Sequence, residues 1–256
     1  MLVAAAVCPC PPLLVPAVAA GAAPELDAAR TACDGALGVL AAARPDRLIV
    51  VGPAERESPG PDPYPEGTRG SFRGFGVPVD VVLGGPGGPG GPGGPDGPDG
   101  ATGEARPAGR PLPDSLAVAA WLLERVHWSA APVSGLGVGT SLGTEDCVRA
   151  GARLAAGPER VALLVMGDAS ACRSVKAPGY LDERAAPFDA TVARALGAAD
   201  VAALKALDVR RAAELKAAGR APWQVLAGAA EGAGLDGQLL HEDAPYGVGY
   251  LVAAWT

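Results

Sequence analysis

Cys8 and Cys10 follow the apolar run LVAAAV, which begins at Leu2, and Cys10 stands between prolines in the segment PCPPLLVP. A proline fixes φ and donates no backbone hydrogen bond, so the chain must leave a strand here along an extended path. Thiols held at a rigid strand end are candidates for metal binding. The spacing of these two differs from the CxxC-type spacing of structural zinc sites, and no second pair accompanies them. Small buried thiols are the preferred interpretation.

Three further apolar runs end next to polar or reactive residues. In a parallel sheet, the ligand crevice lies at the carboxyl ends of the strands, so the residues at these ends are the candidate site residues. After RLIVVG (47–52) come Ala54 and Glu55. The remaining candidates follow RVALLVMG and QLL, and they are Asp168, Ser170, Cys172, His241, Glu242 and Asp243.

Histidine is rare in this chain, which has two of them. His127 falls at the end of an amphipathic helical pattern, where a cation suits the helix dipole, so a structural role is favoured. His241 is therefore the candidate for chemistry. Cys147 shares a helical stripe with Ala150 and Leu154 and is predicted to be core. The run GLGVGTSLG lacks the spacing of a dinucleotide loop, and the chain has no Walker A loop.

Strands and helices alternate along the predicted chain, which favours an α/β fold with a mainly parallel central sheet and helices on both faces. Strands are predicted at LVAAAV, RLIVVG, VPVDVVL (77–83), VSGLGVG, RVALLVMGD and in the last 20 residues, with a surface loop at 53–76. Helices are predicted from Pro24, from Asp114 as N-cap, from Thr144, and near 186–198, 200–218 and 222–233.

Residues 84–110 begin GGPGGPGGPGGPDGPDG and hold no large apolar side chain. Such a segment cannot offset the entropy lost on ordering, and a few Gly-Gly-Pro triplets cannot build a triple helix. We therefore expect a disordered insertion within a single domain that spans residues 1–256.

Composition excludes several classes of function. The net charge is −7 with scattered charges, so neither nucleic acid nor an anionic membrane is an expected partner. No apolar stretch is long enough to predict a membrane span. The Ala-rich start carries no Lys or Arg before residue 30, unlike a secretion signal. Five cysteines at irregular spacing indicate reduced thiols and a cytoplasmic protein.

Four segments together resemble the class III extradiol ring-cleavage dioxygenases of the LigB type and their MEMO-like relatives. They are PCPPLLVP, LIVVGP, VMGDASACRSVKAPGY with PFDATVARAL behind it, and APYGVGYLVAAW. The resemblance covers nearly the whole chain apart from the Gly-Pro insertion. It implies an α/β fold and, in active members, an iron(II) site of two imidazoles and a carboxylate that binds a catechol and oxygen side by side.

The resemblance also shows where this chain departs from the family. Cys10 stands at the position of the first histidine ligand, Ala54 at the second, and Ala171, beside Cys172, at the histidine that acts as acid and base. Asp243 matches the glutamate ligand. No histidine lies within ten residues of Cys10, Ala54 or Ala171. One thiol and one carboxylate are not expected to hold iron(II) as the family does.

Two hypotheses remain from the sequence. In the first, the protein has lost ring-cleavage chemistry, needs no cofactor, and binds a small molecule or a partner in the strand-end crevice. In the second, it is a metal-dependent oxidoreductase with a rebuilt site, in which Cys10, His241 and Asp243 bind a softer metal such as zinc. The two alanines favour the first hypothesis because they offer no chemistry.

Overall fold

The computed structural model describes residues 1–54, 60–85 and 110–256. Nearly all of the predicted 84–110 insertion lies outside the described residues, as does the candidate Glu55.

A seven-stranded sheet forms the centre of the described part of the molecule, in the order β3-β6-β2-β7-β1-β9-β8. The neighbouring strands β6, β2, β7 and β1 are parallel, whereas β3, at one edge, and β9 and β8, at the other, pair antiparallel to their neighbours. The predicted α/β fold with a mainly parallel sheet is confirmed. The strands are β1 Leu2–Cys8, β2 Arg47–Ala54, β3 Asp62–Tyr64, β4 Arg69–Ser71, β5 Asp80–Val82, β6 Val133–Gly139, β7 Val161–Met166, β8 Gly237–Asp243 and β9 Tyr250–Trp255.

Helices cover both faces of the sheet, and the central strands are buried on both sides. The helices α2 and α3 pack on one face and the helices α4 to α8 on the other, which gives two apolar cores separated by the sheet. The helices are α1 Pro16–Ala19, α2 Asp27–Ala42, α3 Asp114–Arg125, α4 Thr144–Ala155, α5 Ala185–Gly197, α6 Val201–Lys205, α7 Val209–Glu214 and α8 Arg220–Ala229.

Several boundaries differ from the prediction for local reasons. Pro24 lies inside a 3-10 helix, Ala20–Leu26, and the α-helix begins only at Asp27. The predicted helix over 200–218 is two short helices because Asp208 caps α7, its side chain accepting a hydrogen bond from the Arg211 backbone N–H. Asp114 lies in the first turn of α3 rather than at its N-cap, which is Pro113.

The segment before α3 differs most from the prediction. The run VPVDVVL forms β5, but this strand pairs with β4 in a separate two-stranded sheet and not with the central sheet. The predicted surface loop at 53–76 contains β3, β4 and a short 3-10 helix, Arg73–Phe75.

None of the helices in the described ranges is both long and apolar enough to cross a membrane.

Candidate functional site

A cleft of about 750 Å³ opens where the four parallel strands end. Each strand contributes a residue to its wall: Cys10 follows β1, Ala54 ends β2, Thr140 follows β6 and Asp168 follows β7. Parallel strands deliver their carboxyl ends to one edge, so residues far apart in sequence meet there. The structure therefore brings together three of the predicted site residues, Cys10, Ala54 and Asp168.

Asp168 is held in place by backbone contacts on both sides. The backbone N–H of Cys10 donates to its Oδ1 over 2.8 Å, and the N–H of Gly219 donates to its carbonyl over 2.9 Å. A Cβ on Gly167 would lie 2.4 Å from the Cα of Gly219, so the chain after β7 runs directly against the start of α8. Only glycine permits this approach, which fixes the Asp168 carboxyl at the cleft.

Burial is the main cause of the pKa shifts of Asp168, Cys10 and Tyr250. Burial raises the pKa of Asp168 to about 7, although the hydrogen bond from Cys10 N opposes the shift. Burial, and then the nearby Asp168 carboxyl, raise the pKa of the Cys10 thiol well above its ordinary value. The same two causes raise the pKa of Tyr250. Cys10 and Tyr250 are therefore neutral at physiological pH, and Cys10 is not an activated thiolate.

The start of α3 forms a second wall of the cleft. Ser115 Oγ donates to the carbonyl of Pro53 over 2.6 Å, which ties the helix to the end of β2. A Cβ on Gly52 would lie 2.6 Å from this oxygen, so a larger residue would push the helix away. The contact places the exposed side chain of Asp114 at the cleft.

Tyr64 and Arg110 form the third wall. Tyr64 is buried at the end of β3, and the Cζ of Arg110 lies 4.6 Å from the centre of its ring. Arg110 Nη1 also contacts Asp62 Oδ2 at 3.1 Å. The cation at the cleft is therefore held by an aromatic face and a carboxylate.

The other candidates after β7 do not line this cleft. The backbone N–H and the Oγ of Ser170 both donate to the buried Asp189, over 2.8 and 2.9 Å, and Arg173 Nη1 donates to the same carboxylate over 2.9 Å. Ala171 is buried, and its N–H donates to the Leu215 carbonyl. The Cys172 thiol is buried and contacts that same carbonyl. The hydrogen bonds of Ser170, Ala171, Cys172 and Arg173 therefore fix the backbone after Asp168 and serve a structural role.

The thiol of Cys8 also lies away from the cleft wall. Cys8 is fully buried in the core on the α2 side of the sheet, and a hydrogen bond with Cys33, together with burial, raises its pKa. All five cysteines are buried and reduced. Cys33 and Cys147 are core residues, as was predicted for Cys147.

The residues predicted at the end of β8 lie at the same edge of the sheet but outside the cleft wall. Asp243 pairs with Tyr250 on β9, and β9 pairs in turn with β1, so a strand separates Asp243 from Cys10. Asp243 and Glu242 are exposed, and His241 is half-buried. The oxygen Oδ1 of Asp243 accepts the backbone N–H of Ala244.

The donor set at the cleft does not fit the iron(II) site that the family resemblance implies. Cys10 supplies a thiol and Asp168 a carboxyl, whereas Ala54 and Ala171 supply no ligand atom. In the described ranges, no group of three or more His, Cys, Asp or Glu side chains is arranged to hold a metal ion. A facial triad needs two imidazoles and a carboxylate around one point.

Sequence reasoning missed five polar residues of the cleft wall: Thr140, Asp114, Ser115, Tyr64 and Arg110. The strand-end rule would have found Thr140 if it had been applied to β6. Asp114 was interpreted only as a cap. Tyr64 and Arg110 fell in segments predicted to be loop or insertion, and no local pattern pointed to them.

Comparison with known proteins identifies a shared fold but no function. No family model matches the chain, and no curated protein matches it. Among solved structures, the chain is similar to the crystal structure of the uncharacterized protein JW3007 from Escherichia coli K12. The TM-score is 0.51 with 12% identity, and the match covers 99% of each chain. The likeness extends over essentially the whole chain and concerns the fold alone.

Proposed function

We propose that the protein binds a small molecule in the cleft at the carboxyl edge of its sheet, and that it lacks the ring-cleavage chemistry of the LigB-type dioxygenases that its sequence resembles. One observation carries the proposal. The cleft lies at the ends of the four parallel strands, where α/β proteins hold ligands, and Cys10, Ala54 and Asp168 stand there instead of a set of imidazoles.

The composition of the wall supports binding. Apolar groups from Pro53, Ala54, Leu112 and Ala218 cover much of it, and a few polar side chains interrupt them. A volume of about 750 Å³ lies within the range of roughly 300–1,000 Å³ that is usual for small-molecule sites. Apolar surface supplies affinity, and the convergent polar groups fix the orientation of the ligand.

Two kinds of catalysis find no support in the wall. The Cys10 thiol has a raised pKa and no nearby imidazole, so it lacks the activation of a catalytic cysteine. The alternative metalloenzyme, with Cys10, His241 and Asp243 as ligands, would need His241 and Asp243 to reach the cleft. In the described structure they lie on β8, beyond β9.

Binding can be tested with a variant that fills the cleft. Ala218 lines it, so Ala218→Trp should occupy the space that a ligand needs, whereas Ala213→Trp places the same side chain on the exposed surface of α7. A small-molecule fragment library should give hits by saturation-transfer NMR that disappear in Ala218→Trp and persist in Ala213→Trp. The absence of any such fragment would contradict the proposal.

The loss of ring cleavage has its own test. Protein loaded anaerobically with iron(II) should retain far less than one equivalent after desalting, measured by metal analysis. It should consume no oxygen with catechol or protocatechuate in an oxygen electrode. Stoichiometric iron together with oxygen uptake would show that the dioxygenase activity persists.

A further inference from the structure

The carboxyl of Asp168 uses only half of its capacity to accept hydrogen bonds. Oδ1 accepts the N–H of Cys10, and in the described residues no donor reaches Oδ2. Because Asp168 lines the cleft and is partly exposed there, this second oxygen is available to whatever enters. A desolvated carboxyl with an open oxygen is a specific acceptor for a ligand's N–H donors.

Among the described residues, no cation pairs with the Asp168 carboxylate. Cys10, which follows β1, and Tyr250, the first residue of β9, both feel the charge of Asp168 and are neutral at physiological pH. Arg110, a cation in the described part of the wall, already contacts Asp62.

A buried cation near the start of α8 does not offset this charge. Arg220 is almost completely buried and donates to the carbonyls of Thr140 and Leu142 and to the side chain of Gln224. Its guanidinium therefore holds the segment after β6 rather than pairing with Asp168.

We propose that the cleft takes a small molecule with a cationic ammonium group on an apolar body, and that the ammonium group is held by Oδ2 of Asp168. This inference rests on the proposed binding function and names the chemical class of its ligand. The ammonium donates to the open oxygen and supplies the missing positive charge, while the apolar body packs against Pro53, Leu112 and Ala218.

The inference has a pH signature. With a pKa of about 7, Asp168 is mostly protonated at pH 6 and mostly ionised at pH 8. An alkyl ammonium keeps its charge over this range, as lysine does. Affinity depends on the fraction of protein in the ionised form, so it should rise about tenfold from pH 6 to pH 8.

The test uses three probes with one body and different head groups: 2-phenylethylamine, 2-phenylethanol and 3-phenylpropionate. Isothermal titration calorimetry at pH 8 should show the amine binding at least about tenfold more tightly than either of the others. Asp168→Asn, which keeps the acceptor for Cys10 N, should reduce the amine's affinity about tenfold or more and remove its pH dependence. Asp146→Asn changes the net charge equally on the exposed surface of α4 and should leave the affinity unchanged.

Binding of the alcohol or the carboxylate as tightly as the amine would overturn the ammonium inference, and so would amine binding that Asp168→Asn does not weaken. Either result leaves the proposed binding function standing, because that function is judged by fragments that Ala218→Trp displaces. An amine that binds in the expected way but persists in Ala218→Trp would place the site elsewhere and also overturn the inference.

Discussion

At the scale of single residues, Asp168 is the side chain of the cleft whose ionised form is least stabilised by its surroundings. Its carboxyl is desolvated, it has no cationic partner in the described structure, and one of its oxygens is left open. A structural carboxylate normally has its charge compensated, whereas a binding residue is often held in an unfavourable state until the ligand arrives. This contrast makes Asp168 the strongest candidate for function, and it has a consequence for stability.

Asp168→Asn should stabilise the free protein at high pH. The native pKa of about 7 lies above the unfolded value near 3.9, so the native state binds more protons between these values and stability falls as pH rises through them. The variant does not titrate. We expect it to be about 2 kcal/mol more stable than the natural protein at pH 8, a figure reduced for partial exposure of the carboxyl, and nearly equal to it at pH 4.

Urea unfolding at both pH values checks this expectation, with Asp146→Asn as the control of equal charge change. A variant that is less stable at pH 8 would mean that the Asp168 carboxylate has a stabilising partner.

Asp189 has the opposite character because it is buried and fully paired. It accepts from Ser170 N, Ser170 Oγ and Arg173 Nη1. Asp189→Asn places N–H donors against donors and removes the charge, so it should cost about 3 kcal/mol of unfolding free energy. Ser170→Ala removes one bond and should cost about 1 kcal/mol.

The surface pair of Arg184 and Asp182, whose side chains are 47% and 26% exposed, gives a comparison for the buried Asp189. Asp182→Asn should change stability by less than about 1 kcal/mol in the same denaturation experiment. Equal effects at Asp182 and Asp189 would contradict the importance assigned to the buried network.

Residue-level prediction from the sequence succeeded where a general rule of topology applied. Cys10, Ala54 and Asp168 were found because strong apolar runs mark strands and strand ends mark the crevice. Tyr64 and Arg110 were not found because tertiary contacts alone bring them to the cleft. Ser170 follows β7, as predicted, but its hydroxyl donates to Asp189 and does not line the cleft. The sequence pattern gives no information on the direction of this side chain.

At the scale of elements, α4 and α8 come into backbone contact through two glycines. A Cβ on Gly151 would lie 1.9 Å from the Val225 carbonyl oxygen, and a Cβ on Gly228 would lie 2.1 Å from that of Val148. A glycine inside a helix lowers its stability. These two glycines are explained by packing, because any larger residue would collide with the backbone of the neighbouring helix.

Gly228→Ala should therefore separate the two helices and destabilise the protein by about 3 kcal/mol, because a rigid backbone cannot yield as a side chain can. Gly38→Ala on the exposed side of α2 meets nothing within 4 Å and should stabilise by about 0.5–1 kcal/mol. Thermal unfolding of both variants measures the contrast. If Gly228→Ala leaves the stability unchanged, α4 and α8 can move apart without loss of packing energy, and the prediction is wrong.

The elements that were predicted well are the long ones with a clear period. The runs that became β1, β2, β7 and β9 were identified because central strands buried on both faces are continuously apolar. The short strands β3 and β4 were missed since they hold three residues each and include Pro63 and Gly70, which disfavour strands. For β5 the strand was right but the sheet was wrong, because partner choice is a long-range property.

At the scale of the whole molecule, the described chain shows how a long insertion can be accommodated. Val82 pairs with Arg69 on β4, and the backbone N–H of Leu112 donates to the Arg69 carbonyl. The chain therefore leaves and re-enters the fold beside the same residue. Two strand spacings, about 10 Å, separate the two ends if they flank Arg69 on opposite sides.

Replacing residues 86–109 by a Gly-Ser linker of about six residues should therefore preserve the fold, because such a linker spans about 20 Å when extended. The composition of the segment predicts no contacts to lose. Shortening the loop about fourfold lowers the entropy cost of closing it, so we expect a gain of about 1 kcal/mol. Fragments that bind in the cleft should still bind, since Arg110 and Leu112 remain. Unfolding that becomes easier by more than about 1 kcal/mol would show that the insertion packs on the domain.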